Sequence, residues 1–95
     1  MNVHQGLFEA YRDFSQNLSM ELSCEIHGKI NAHYNLITDA MQVTIVNRAL
    51  NIEPFRFTQP YFSQDMANGI SSSTLARFIL KEYKEYVELY IFKKY

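Results

Sequence analysis

An α+β fold is predicted: an N-terminal helix, a three- to four-stranded antiparallel β-meander and a long C-terminal helix, with both helices on one face of the sheet. Three observations lead there. Apolar residues recur every three or four positions near the start, alternate strictly with polar ones through the middle, and return to helical spacing over residues 71–95. With 95 residues and no stretch polar enough to act as a linker, residues 1–95 are expected to form one compact domain.

The first helix is read from Val3, Leu7, Tyr11, Phe14 and Leu18, which place one apolar stripe over residues 3–16. Met20, Leu22, Cys24 and Ile26 then alternate with Glu21, Ser23, Glu25 and His27, the period of a strand with one buried face. Ile30, Ala32, Tyr34 and Leu36 repeat the pattern, as do Met41, Val43 and Ile45. A slip of one residue would turn a whole apolar row to water, so parity constrains the loops. An odd loop, His27-Gly28-Lys29, joins the first two strands. An even one, Thr38-Asp39 or residues 37–40, joins the next two.

Phe55 and Phe57 flank Arg56 in a short fourth strand, placed at an edge because Pro54 donates no ladder hydrogen bond. Residues 63–69 fit either one helical turn, with Ser63 as cap and Gly69 as terminator, or an ordinary loop. Ser71 to Thr74 offer caps for the last helix, and Lys93 and Lys94 suit its negative end. One sheet face is then left open, displaying Glu21, Ser23, Glu25, Asn31, His33, Asn35, Gln42, Thr44 and Val46.

Composition narrows the function. Nine basic residues against ten acidic ones give a net charge of −1, which provides no long-range attraction for nucleic acid or an anionic membrane. Arg77, Lys81, Glu82, Lys84 and Glu85 interrupt the most apolar region, so no segment reaches the roughly 18–20 residues of a membrane span. The lone Cys24 forms no internal disulfide and the start of the chain lacks a signal-peptide pattern, which points to the cytoplasm.

Catalytic and metal motifs are not found. On the strand reading Cys24 faces the core while His27 and His33 lie about 13 Å apart along the strands, too far to share one zinc ion. No Ser occupies a G-x-S-x-G elbow, and Glu21 and Glu25 have no apolar pocket to raise a pKa. Neither an enzyme nor a bound cofactor is expected. Phe55, Phe57, Tyr61 and Phe62 around Arg56 read as core and rim, since one Arg makes a poor track for a single strand.

Binding surfaces are the remaining candidates. Apolar residues of the last helix spread over roughly 220° of its wheel, about twice the stripe of a surface helix. One seam runs through Leu75, Ile79, Glu82, Tyr86 and Leu89, the other through Ala76, Leu80, Tyr83, Val87 and Ile91. Sheet and first helix can take one seam each. A first helix of about 13 residues, however, falls short of covering a last helix some 30 Å long. The surplus, with Tyr83, Tyr86 and Tyr90 as anchors beside Leu80, Val87 and Ile91, is expected to meet another protein or a second copy in a homodimer. His33 and Asn35 on the open sheet face are a second protein-binding candidate. Gly69, Ser71, Ser72, Ser73 and Arg77 form an anion- or nucleotide-binding candidate at the start of the last helix, although capping accounts for the same residues.

The order helix, three strands, helix resembles that of the double-stranded RNA-binding domain. That family carries a Lys-rich cluster at the start of its last helix, where this chain has Ser71, Ser72, Ser73 and Thr74. The resemblance is to element order and implies nucleic-acid regulation only as an alternative. In size, balanced charge and abundance of Tyr, the chain is similar in build to the small anti-CRISPR-like inhibitors that phages and mobile elements direct against bacterial defence systems. That likeness implies a non-enzymatic inhibitor acting in a bacterial host cell by covering a protein surface.

Overall fold

A computed structural model describes residues 3–93 and the side chains of residues 8–91. The side chains of Val3, His4 and Leu7 at one end, and of Lys93 and Lys94 at the other, lie outside the described residues. Helix α1 (Val3–Glu25) leads into strands β1 (Lys29–Asn35), β2 (Ala40–Val46) and β3 (Phe55–Pro60), with a 3₁₀ turn at Arg48–Leu50. Helix α2 (Phe62–Ala67) and the long α3 (Ser72–Lys93) follow. The sheet is antiparallel in the order β1-β2-β3. Both long helices pack on its apolar face, α1 along β1 and α3 along β3.

Residues 20–26 correct the sequence reading: residues 20–25 continue α1, Ile26 follows with its N–H still bonded to the Leu22 carbonyl, and none of them forms a strand. Leu18, Leu22 and Ile26 sit one turn apart on one helical stripe and are all buried, while Met20 is 67% exposed and Cys24 is also exposed. A strand would have hidden Met20 and Cys24 with Leu22 and Ile26. The helix hides only the pair in phase with Phe14 and Leu18, and Met, Glu and Leu are good helix formers. Helix α1 is therefore 23 residues long. Glu21, Ser23 and Glu25 leave the sheet, and the expected three-residue hairpin at Gly28 becomes a helix-to-strand turn. Gly28 is required there, since a Cβ would stand 2.7 Å from the Val46 carbonyl oxygen.

The other strands keep their expected faces, except that Leu36, expected in the buried row of Ile30, Ala32 and Tyr34, falls beyond the end of β1 and is 60% exposed. Ile30, Ala32 and Tyr34 stand opposite Ile45, Val43 and Met41. The connecting turn is even, as parity requires, but occupies residues 36–39 rather than 38–39 or 37–40, because Ala40 pairs in β2; Leu36 and Ile37 are left exposed. The short strand around Phe55 and Phe57 is the third strand, at an edge, with Pro60 as its last residue. The core gathers Leu18 and Leu22 from α1, Met41, Val43 and Ile45 from β2, Phe55 and Phe57 from β3, Phe62 from α2, and Leu75, Ala76, Ile79 and Tyr83 from α3.

Asp39 ties the β1–β2 turn to α2. Its backbone is left-handed, with φ of 50°, which Asp tolerates better than most residues. Its carbonyl accepts from the Phe62 N–H, and its carboxylate accepts from the Ser63 N–H, the Ser63 hydroxyl and the Tyr34 hydroxyl. Asp39 thus caps α2 from a distant turn. The Ser63 hydroxyl, followed by that of Tyr34, holds the Asp39 carboxyl below its ordinary range, and Asp39 in turn holds the Tyr34 proton on. A carboxyl whose folded pKa lies below its unfolded value of about 4 stabilises above that value, and the contribution is lost as pH falls through the folded pKa. Asp39→Asn is accordingly expected to lower the melting temperature at pH 7, with the gap to the native chain closing below about pH 4. A gap that stays constant down to pH 3 in paired thermal melts would contradict this linkage.

Candidate protein-binding surfaces

Helix α3 runs antiparallel to β3. Phe78 meets Phe57, Tyr83 and Tyr86 meet Phe55, and the Tyr86 hydroxyl donates to the carbonyl of Glu53, two residues before β3 begins. The turns after Tyr86 therefore lie past the end of the sheet. Helix α1, which stacks Tyr11 on Tyr34 and finishes just before β1, runs in the same direction as α3 but is set back along it. This stagger stretches the molecule to 56 Å along its longest axis, against 22 and 20 Å across.

Both seams of α3 are sealed over its first half and open over its last turns. Leu75, Ile79, Ala76 and Tyr83 are buried. Glu82, Tyr86, Leu80, Val87 and Tyr90 are half-buried, whereas Ile91 is exposed and Leu89 is 64% exposed. The division of one seam to the sheet and one to α1 is not what the contacts show, since Tyr83 of one seam and Tyr86 of the other both meet Phe55 of β3.

The predicted anchors separate accordingly. Tyr83 belongs to the core, where its hydroxyl oxygen accepts from the Asn47 side-chain amide. Leu80 and Val87 flank a cleft of about 370 Å³ against Ile26, His27 and Leu50. Tyr86 rests its ring on Phe55 and Tyr90; burial, then the neighbouring Tyr90 and Glu53, pushes its phenol pKa up. Tyr90, Leu89 and Ile91 keep free surface. Phe78, 51% exposed beside the edge of β3, shares the flank of Leu89 three turns away and was missed. Its 11-residue spacing from Leu89 is the signal that could have found it, since three turns of helix return to the same flank.

At the start of α3, Gly69 takes a left-handed φ of 78° that ends α2. Ser71 is the cap, its hydroxyl accepting from the Thr74 N–H. Ser73 donates to the Glu21 carboxylate, so a carboxylate from α1 already stands where an anion would bind. Arg77 is exposed and Ser72 half-buried. Among the described residues no three His, Cys, Asp or Glu side chains gather closely enough to hold a metal ion, and no helix is long and apolar enough to cross a membrane.

The open sheet face follows from the strand register. Its rows are Lys29–Val46, Asn31–Thr44–Arg56 and His33–Gln42–Thr58. His33 is exposed there. Asn35 ends β1 and is engaged locally, its side-chain oxygen accepting from the N–H groups of Ile37 and Thr38. A groove of about 610 Å³ between α1 and β1 is lined by Phe8, Tyr11, Met20, Ala32 and Tyr34 among others. No family model, curated protein or solved structure matches the chain.

Proposed function

We propose that this is a small non-enzymatic binding protein that acts by covering a surface on another protein, with the free end of α3 as its main contact. The reading rests on one observation: α3 outruns both of its supports, leaving Leu89 64% and Ile91 45% exposed beside the half-buried Tyr86, Val87 and Tyr90. Apolar side chains in water next to aromatic rings with wet hydroxyls are the composition of an interface centre. The partner is a foreign protein or a second copy of the chain. The build suits a phage or mobile-element inhibitor of a bacterial defence system, working in the cytoplasm of the host cell.

Leu89→Ser combined with Tyr90→Ala tests this, because neither side chain lies in the buried core. Light scattering over a concentration series reads self-association, and co-purification from the host reads a foreign partner. Association is expected to weaken by at least about 2 kcal/mol, some thirtyfold, with the melting temperature nearly unchanged. A variant that associates as tightly as the native chain, or a loss of folding with binding intact in the surviving fraction, would contradict it.

A further inference from the structure

We propose that the open face of the sheet is a second docking surface, shaped for a carboxylate-rich patch on a protein partner. The inference rests on the protein-binding reading and adds a face and a partner chemistry to it. All ten acidic residues of the chain lie on helices or in connecting segments, and the three strands contain none. With Glu21 and Glu25 on α1, the open face carries Lys29 and Arg56 set among Asn31, His33, Gln42, Thr44 and Thr58. The two cations lie two strands and two residues apart, about 12 Å by strand spacing and rise. Next to Lys29, a cleft of about 510 Å³ also takes in His27 and Arg48. A chain of net charge −1 therefore presents one sheet face whose own strands carry cations and no carboxylate.

That charge pattern selects an anionic partner, and the uncharged side chains indicate which kind. Tyr34, Phe55 and Phe57 all turn to the core, which leaves His33 and Arg56 as the planar groups of this face, without the run of Tyr or Phe rings on which successive bases stack. Lys29, Arg56 and the adjoining Arg48 would together neutralise only about three phosphates, and the acidic residues elsewhere repel the rest of a polyanion. A protein carboxylate needs less charge and better geometry. Arg56 can grip one through two parallel hydrogen bonds, while the flanking amides and hydroxyls pair with neighbouring polar groups.

The test uses the full chain with poly-L-glutamate as probe, against a single-stranded and a duplex oligonucleotide, at low and moderate salt. Poly-L-glutamate is expected to bind and to weaken with salt. Lys29→Glu with Arg56→Glu should weaken it by at least about tenfold, both residues being exposed and their replacement leaving the circular dichroism unchanged. Lys81→Glu with Lys84→Glu, the same charge change on α3, should leave binding intact. The proposal is overturned by a flat titration, by equal losses in both double variants, or by tighter binding of either oligonucleotide. The α3 variant Leu89→Ser with Tyr90→Ala is expected to retain poly-L-glutamate binding, so failure on this face and failure at the α3 end are read separately.

Discussion

Phe62→Ala is expected to lower the melting temperature by roughly 15–30 °C, corresponding to about 3–5 kcal/mol in a domain of this size. Phe62 is fully buried at the first position of α2. Its ring sits among three others, edge-on to Phe14 at 4.9 Å and tilted against Tyr11 at 6.0 Å and Tyr34 at 5.9 Å. Removing it opens a cavity walled by rigid rings, which collapse poorly, and frees the N-terminus of α2 from the residue that anchors it. The neighbouring Tyr61 is 72% exposed, and Tyr61→Ala should change stability by no more than about 0.5 kcal/mol. Chemical denaturation of the two variants side by side checks the contrast. Equal and small effects would mean that α2 is not part of the core.

The second large effect separates the two readings of residues 20–26. Leu22→Ala should cost about 2–5 kcal/mol, whereas Met20→Ala should stay within about 0.5 kcal/mol. On a helix these side chains point 160° apart, Leu22 into the core and Met20 into water. On a strand they would share one buried row, and their truncations would cost similar amounts. Urea unfolding of both variants measures the difference directly, and comparable losses would contradict the long α1.

Why residues 20–26 misled is visible in their spacing. Leu22 and Ile26 are four apart, a distance that satisfies both the helical period and the strand alternation, and Met20 and Cys24 complete the strand pattern by chance of composition. Leu18, four residues earlier, fits both periods as well; Tyr11, seven residues before Leu18, keeps the helical phase and breaks the alternation, and it alone among the described apolar residues favours the helix. The β1–β2 pairing was legible because parity admits one register that buries Ile30, Ala32 and Tyr34 opposite Ile45, Val43 and Met41. Excess apolar width on α3 was legible too, since both seams can be traced on a wheel. Where cover stops was not. It depends on how far α1 is set back along α3, a tertiary quantity that places Tyr83 inside and Leu89 outside although both belong to the traced seams. The cationic sheet face was hidden by the same misassignment, which put Glu21 and Glu25 among its residues.

Cys24, predicted to face the core and found exposed on α1, is the only thiol in the chain. It offers a single attachment point for a maleimide dye or spin label on the native protein, without further mutagenesis. A reporter there sits in the last turn of α1, beside Glu25, which shares a cleft with Val87 and Glu88 of α3. It also stands three residues before His27 of the cationic cleft, close enough for its signal to change when a partner engages either surface.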